Sequence, residues 1–323
     1  MATGYLQVFA PEQGNLYGDF YVYLPAGETF FAQYRFRYLK LAADPTLSFA
    51  DRENKQANSD LYRIWEAYIG TLDGQTFTPD FRALQGGEVS FAFLEKGAGD
   101  FCGGIHGDEC LSEAVLTVDG KDLALNRPYF GGFETLSFVQ NSRIFRCNTP
   151  DQPLIEHRQR YTVREDALHL EQYIRWIADA MPLRSAYSPM LTAQRLDPMR
   201  PERVLTDTVA FYSEPGGQLL TQFDTTPYGA QSKTDMEVSV CQHTPAHAVR
   251  VWGQRSGFSA EAGYVVVDDS IPQAQSEAHL WIRFDEALDN KIYFDIGSEV
   301  APKAGTVWKS RIGYRLRYTP HNI

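Results

Sequence analysis

The chain of 323 residues is long enough for one large domain or two of ordinary size, and its hydrophobic content of 43% excludes a disordered protein. Its formal net charge of −11 argues against a nucleic-acid binder, because phosphate contacts require a surplus of Lys and Arg. No basic segment followed by an apolar stretch opens the chain, and no apolar run approaches the ~18 residues of a membrane span. We therefore expect a soluble protein without a signal peptide or a membrane partner, and its compartment stays open.

Period-two alternation of apolar and polar residues predicts strands along most of the chain. Turn signals at Asp73-Gly74, Asp119-Gly120 and Glu165-Asp166 separate neighbouring strands. Segment 43–60 is polar and expected to be a loop, and four prolines predict a loop held on the domain around 182–201. The expected strands are Phe20–Leu24, Phe30–Leu41, Leu61–Ile69, Val89–Leu94, Ala114–Val118, Phe133–Phe145, Leu154–Ile177 (divided by its turn), Val204–Tyr212, Ala248–Gly253, Tyr264–Asp268, His279–Phe284, Lys291–Ile296 and Thr306–Tyr318.

Strands at such intervals, joined by turn signals, predict an all-β protein with a large antiparallel sandwich or barrel. No helix of more than two turns is expected. We predict a single domain over residues 1–323, with roughly the first 60 residues as a candidate peripheral extension.

The segment Gly103–Glu109 combines three glycines with His106, Asp108 and Glu109. Histidine changes protonation near neutral pH, and an adjacent carboxylate can orient it and raise its pKa. The pattern is typical of one wall of a catalytic or binding cleft, and equally of a polar hairpin with solvated carboxylates.

Two further groups carry acid–base or charged side chains. His157 and Tyr161 lie four apart on one expected strand, so they share a face, where they supply either a base and an acid or ordinary sheet packing. Arg160 lies on the opposite face. The segment from Arg184 to Arg195 contains Tyr187, and its arginines could clamp a carboxylate by bidentate hydrogen bonds or belong to a surface loop.

Cysteine and histidine spacing leaves metal binding as a minor alternative. Cys241, His243 and His247 are of the types that bind transition metals, but their segment is expected to be strand and loop, where a four-residue spacing is less diagnostic. No cofactor is therefore expected. Cys102 and Cys110 could pair across the His106 turn or both be reduced.

The chain contains no P-loop, dinucleotide fingerprint, G-x-S-x-G elbow or HExxH motif. Three stretches resemble the galactose-mutarotase-like β-supersandwich, the fold of aldose 1-epimerases and of a domain in several polysaccharide lyases. Ile105-His106-Gly107 resembles the turn that bears one epimerase histidine. Tyr161–Leu191 is similar to the strand pair leading to the second, with Tyr187 near that histidine's place. Pro302–Leu316 resembles the closing turn and final strand, and Glu286 lies roughly where the catalytic glutamate falls.

The resemblance implies a carbohydrate-active β-supersandwich, with a jelly roll as the alternative, whose partner is a poly- or oligosaccharide. A His/Tyr set resembles that of polysaccharide lyases, which remove the C5 proton of a uronic acid and protonate the leaving oxygen. The implied catalytic residues are His106 as base or neutraliser and Tyr187 or Tyr161 as acid, and the implied substrate-binding or orienting residues are Asp108, Glu109, His157, Arg160, Arg195 and Trp176.

Two alternatives remain. In an aldose epimerase, Glu286 would be the base and His106 the acid. The pattern in Asn290–Tyr314 is also similar to segments of phage tail-fibre and appendage proteins, which implies a non-catalytic glycan-binding module.

Overall fold

The structure is a computed structural model that describes residues 3–41, 57–86, 89, 91–225, 236–240, 245–271, 277–282 and 289–320. Within these ranges the chain is built almost wholly from strands, and its one helical piece is a single 3-10 turn, Gly104–His106. No helix among these residues is long and apolar enough to cross a lipid bilayer. The predicted all-β class is confirmed.

The strands are numbered in chain order. The first half contains β1 (Gly4–Val8), β2 (Phe20–Pro25), β3 (Phe31–Leu41), β4 (Ala57–Asp73), β5 (Thr76–Leu84), β6 (Ala92–Glu95), β7 (Gly107–Val118), β8 (Lys121–Leu123), β9 (Tyr129–Phe133), β10 (Leu136–Arg146), β11 (Thr149–Arg164) and β12 (Ala167–Trp176). The second half contains β13 (Leu183–Gln194), β14 (Leu196–Asp197), β15 (Arg200–Val204), β16 (Thr208–Tyr212), β17 (Leu219–Asp224), β18 (Met236–Val240), β19 (Ala248–Trp252), β20 (Phe258–Val266), β21 (Glu277–Ile282), β22 (Asp289–Asp295) and β23 (Val307–Tyr318).

The two-residue turn signals form tight hairpins as predicted. Asp73-Gly74 joins β4 to β5, Asp119-Gly120 joins β7 to β8, and Glu165-Asp166 joins β11 to β12. Gly74, Asp119, Gly120 and Glu165 all have positive φ, the backbone conformation that these hairpin turns require.

The loop predicted around residues 182–201 is wrong, because this segment contains the buried twelve-residue strand β13. Its prolines do not break the strand. Pro182 precedes it, and Pro189 lies where the pairing of β13 with β22 shifts register between Tyr187 and Met190. A proline has no N–H to donate, so it is tolerated at such a bulge. Of the predicted loop over residues 43–60, positions 57–60 belong to β4 and the remainder lies outside the described residues.

The described strands hydrogen-bond into one continuous, folded sheet, apart from β14 and β15, which form a separate two-stranded sheet. The order β1–β2–β3–β4 brings the N-terminal strands into it, and β10–β11–β12–β23–β20–β19 forms a second run of antiparallel neighbours. A third run, β18–β21–β22–β13, continues to β6. The exception to antiparallel pairing is the contact of β4 with the start of β7.

The core lies between facing layers of this sheet, which makes the molecule a large antiparallel β-sandwich. Aromatic rings from strands that are not neighbours meet there. Phe36 of β3 contacts Tyr161 of β11 with ring centroids 5.1 Å apart, and Phe93 of β6 contacts Trp176 of β12 at 5.3 Å. Both pairs are almost completely buried, so each contributes on the order of 1 kcal/mol beyond its area burial.

Candidate functional site

The turn from Gly103 to Asp108 has a backbone that its glycines make possible. Gly103, Gly104, Gly107 and Asp108 have φ values of 80°, 58°, 80° and 53°. Residues with a side chain rarely adopt this left-handed region. At Gly103 a Cβ would also lie 2.7 Å from the backbone oxygen of Phe91. Conformation and space both therefore require glycine there.

Both ends of the turn are fixed by backbone pairing. Cys102 and Phe93 exchange two N–H···O bonds of 2.8 and 3.0 Å, and the Gly103 N–H donates to the Gly107 oxygen at 2.8 Å. The 3-10 turn between them carries the partly exposed side chain of His106. His106 is thus presented by a rigid support.

Glu109 connects the turn to the neighbouring strands β10 and β11. Its side chain is completely buried and accepts hydrogen bonds from the Ser142 hydroxyl at 2.6 Å and the Gly104 N–H at 3.3 Å, and it lies 2.9 Å from Nδ1 of buried His157. Burial alone would raise the pKa of Glu109. The bonds from His157 and Ser142, together with the charge of Arg63, outweigh it and lower the pKa of this carboxyl.

Next to the turn, Tyr187 lies in a group of rings that are partly exposed, except for the buried ring of Tyr293. The Phe101 ring is 5.0 Å from the His106 ring and 5.6 Å from the Tyr187 ring. Tyr187 in turn lies 6.0 Å from the His279 ring and 5.0 Å from the Tyr293 ring. We call these five residues the aromatic cluster. It brings two imidazoles and two phenols together, one of the phenols being the buried Tyr293.

Strand register explains why these residues meet. His279 of β21 lies directly opposite Tyr293 of β22, which lies opposite Met190 of β13. The bulge at Pro189 brings Tyr187 to the same face as Met190, although an odd spacing would put them on opposite faces of a regular strand. Lys291, two residues before Tyr293, keeps its ammonium 4.7 Å from that ring, which is a cation–π contact.

The structure therefore brings His106 and Tyr187 together through Phe101, as parts of one surface. Lys291 and the cluster members Phe101, His279 and Tyr293 were missed by the sequence reasoning. The available signal was the position of Lys291 and Tyr293 on one face of a predicted strand, but the sequence did not show which strand pairs with it.

Other predicted site residues lie in the protein interior. Tyr161 and Trp176 are 1% and 0% exposed and belong to the core, and burial raises the pKa of Tyr161. His157 and Glu109 pair with each other inside the sheet. Buried Asp108 accepts the backbone N–H of Asn148 at 2.9 Å. Side chains so placed support the turn and the sheet, and an external polymer does not reach them.

The two predicted arginines are separated from the cluster or face elsewhere. Arg160 is exposed on the outer face of β11, 3.8 Å from Glu171. Arg195 is buried just after β13, roughly 26 Å along the strand from Tyr187 at ~3.3 Å per residue. Burial lowers its pKa, against the charge of Asp289. Neither arginine joins the group around His106.

Of the four remaining candidates, the structure describes one, His247. Glu286, Cys241 and His243 lie outside the described residues, whereas His247 packs against Tyr264 with ring centroids 4.7 Å apart.

Of the two states that the sequence left open for Cys102 and Cys110, a disulfide or reduced thiols, the structure has the reduced thiols. Cys102, Cys110 and Cys147 are all reduced, and the hydrogen-bonded neighbour of Cys102 is Cys147, not Cys110. That bond and burial raise the pKa of Cys102, while the same bond lowers the pKa of Cys147.

A separate cavity of about 690 Å³ lies over β12, β19, β20 and β23 and shares no lining residue with the aromatic cluster. Its imidazole, His169, has a pKa lowered by burial and by Arg164 and Arg315. Its arginines are paired with carboxylates: Arg250 with Glu261 at 3.4 Å, Arg311 with Glu171 at 3.9 Å and Arg315 with Asp166 at 2.8 Å. The cavity thus offers volume, but the arginines along its lining are already engaged by carboxylates.

Neither a protein-family model nor a curated protein matches the chain. Solved structures similar to it include protein Slr1438 of Synechocystis sp. PCC 6803, with 10% identity and a TM-score of 0.44 over 96% of this chain and 98% of that one. Galactose 1-epimerase of Lactobacillus acidophilus NCFM has 8% identity and a TM-score of 0.41 over 99% and 100%, respectively. A putative aldose 1-epimerase of Escherichia coli K12 has 12% identity and a TM-score of 0.33 over 79% and 96%. At these scores the likeness goes no further than the all-β class that the strands themselves establish.

Proposed function

We propose that the aromatic cluster binds a sugar and that its two imidazoles transfer protons on it, in a ring-opening reaction of the aldose 1-epimerase type. The observation that carries the proposal is the placement of His106 and His279 on either side of Tyr187, one through Phe101 and one by direct ring contact. Aromatic faces suit the apolar faces of a pyranose, and imidazoles are general acids and bases near neutral pH.

The reaction needs one group to accept a proton and another to donate one. A base removes the proton of the C1 hydroxyl as the C1–O5 bond breaks, and an acid protonates O5, which leaves an open-chain aldehyde. Rotation about C1–C2 and the reverse proton transfers close the ring with the other anomeric configuration. His106 is assigned as the acid and His279 as the base, with the Tyr187 ring forming the floor between them.

A β-elimination on a uronic-acid glycan is the second candidate, and Lys291 favours it. Its ammonium, held over the Tyr293 ring, is a cation next to the cluster that could pair with a substrate carboxylate. Neutralising that carboxylate lowers the cost of removing the C5 proton, because it stabilises the enolate-like intermediate. In this reaction a cluster imidazole would be the base and Tyr187 the acid.

One set of assays separates these possibilities. Anomer exchange of freshly dissolved aldoses is followed by polarimetry, and elimination is followed by the ultraviolet absorbance of the unsaturated product from a panel of uronate polymers. His106→Ala and His279→Ala are compared with His169→Ala, which removes an imidazole outside the cluster.

The proposal expects accelerated anomer exchange that both cluster variants lose and His169→Ala retains. Product absorbance without anomer exchange, lost in the same two variants, would instead establish the elimination. Sugar binding without either reaction would leave a glycan-binding module and refute the catalytic assignments. Equal activity in all four proteins would refute the site itself.

A further inference from the structure

Three side chains that could bind a metal ion meet beside the His106 turn. The thiols of Cys102 and Cys147 and a carboxylate oxygen of Asp108 all lie within 4.8 Å of one another. Cys102 and Asp108 are 2% and 3% exposed, whereas Cys147 is partly exposed. The cluster is therefore largely withdrawn from solvent, with one side open to it.

These three residues come from fixed parts of the fold. Cys102 is held by its two backbone bonds with Phe93 immediately before the turn, and Asp108 follows the turn at the start of β7. Cys147 belongs to the Cys147-Asn148 connection of β10 and β11, and the Asn148 N–H donates to the Asp108 carboxylate at 2.9 Å. The donor atoms are thus oriented by backbone that is already ordered.

We propose that Cys102, Asp108 and Cys147 form a binding site for a thiophilic divalent cation of the Zn²⁺ type, which ties the two ends of the His106 turn to the β10–β11 connection. Two thiolates and one carboxylate are a donor set that Zn²⁺ accepts, with a water in the fourth position. At a Zn–S distance of about 2.3 Å, ligand atoms of a tetrahedral ion lie roughly 3.8 Å apart. The observed separations need only small side-chain movements to reach this.

The site is distinct from the aromatic cluster in composition and role. His106 is partly exposed within the turn, whereas the donors Cys102 and Asp108 lie at its two ends and Cys147 on the β10–β11 connection. Binding exchanges the two thiol protons for one Zn²⁺, so up to two protons are released to solvent and no electron is transferred. The ion would stabilise the turn without touching the sugar.

The test uses the full-length, tag-free protein, reduced with a phosphine and freed of metal. Zn²⁺ binding is measured by competition with a chromophoric chelator, and Co²⁺ binding by its tetrahedral d–d bands and thiolate-to-cobalt charge-transfer absorption. Cys147→Ser and Asp108→Asn remove proposed ligands. Cys110→Ser is the matched control, since it removes a neighbouring thiol outside the donor set, and Cys241→Ser removes the thiol of the sequence-predicted candidate.

We expect one equivalent of Zn²⁺, charge-transfer absorption with Co²⁺ and a metal-dependent rise in Tm in the wild-type, Cys110→Ser and Cys241→Ser proteins. Cys147→Ser and Asp108→Asn should bind at least about tenfold more weakly. Circular dichroism identifies any variant that fails to fold, and Cys147→Ala then takes the place of Cys147→Ser.

The proposal is overturned if the reduced wild-type protein takes up no Zn²⁺. This holds whether or not Cys102 and Cys147 form a disulfide when no reductant is present. Equal loss of binding in Cys110→Ser and Cys147→Ser would overturn it as well, as would loss in Cys241→Ser. These results do not depend on sugar turnover, so they are separate from those that test the proposed function.

Discussion

Gly103→Ala tests whether the His106 turn depends on the close approach of its backbone to the neighbouring strand. At φ 80° and ψ 168° an alanine would occupy a backbone region that is almost confined to glycine, which costs roughly 1–3 kcal/mol. Its Cβ would also lie 2.7 Å from the Phe91 oxygen and 3.3 Å from Cδ1 of Ile144. The first contact is with backbone and cannot be relieved by a rotamer change, so overpacking adds about 1–3 kcal/mol.

Gly120→Ala is the matched control. Gly120 also has a positive φ, 76°, but a Cβ there has no atom within 4 Å. It should lose only the conformational cost of roughly 1–2 kcal/mol. The free energy of unfolding of Gly103→Ala should therefore fall below that of Gly120→Ala by about 1–3 kcal/mol.

The assay is urea denaturation followed by intrinsic fluorescence and circular dichroism, with agreement of the two probes as the check on a two-state analysis. The slope of free energy against urea should be the same for both variants. Equal stabilities for Gly103→Ala and Gly120→Ala would refute the reasoning, because the contact with the Phe91 oxygen would then have no energetic consequence.

Three further predictions concern the buried carboxylate and the aromatic cluster. Glu109→Gln should lower the free energy of unfolding by about 3 kcal/mol at neutral pH. Because the folded-state pKa of Glu109 is lowered, the greater stability of the wild-type protein is complete above the ordinary pKa of 4.5 and should disappear as pH falls through the folded-state pKa. A difference in denaturation midpoint that does not change with pH would contradict this. His279→Asn should lower the turnover of the sugar that the wild-type protein converts by about 10²–10⁴-fold, while His169→Asn leaves that turnover unchanged. Equal rates for His279→Asn and the wild-type protein in initial-velocity assays would exclude His279 from the reaction. Lys291→Met should raise the Kd of an anionic sugar by about 10–100-fold without changing that of its neutral analogue, and calorimetry that finds both unchanged would exclude a carboxylate-binding role.

The strand pattern was predictable because it depends on short-range information. Alternation over a few residues and dipeptide turns such as Asp119-Gly120 determine most strands and hairpins of the first half. β13 was missed because proline was interpreted as a strand breaker. The effect of Pro189 depends on where it falls in the pairing with β22, and register between strands so distant in the chain is not contained in local sequence.

The candidate site was predictable only in part, because it also depends on the pairing of strands that are distant in the chain. The glycine-rich turn and Tyr187 stand out locally, whereas His279 and Tyr293 join them through long-range strand pairing. The resemblance also implied Trp176 as a substrate-binding residue, but it lies in the core against the Trp308 ring at 5.4 Å. Aromatic content indicates a sheet but does not determine which face of it a given ring occupies.

The three titratable residues of the turn have different roles: His106 is partly exposed, whereas Asp108 and Glu109 are buried and support the turn. Adjacency suggested that Asp108 or Glu109 would orient the His106 imidazole, but the left-handed residues reverse the chain so that both carboxylates enter the interior while His106 stays partly exposed. Glu109 lies 2.9 Å from Nδ1 of buried His157, and Asp108 accepts the Asn148 N–H. The Phe101 ring packs against the His106 ring and also contacts Tyr187. The imidazole is therefore positioned by aromatic packing on a frame that the buried carboxylates hold rigid, so substitutions of Glu109 should act on activity through the stability of the turn.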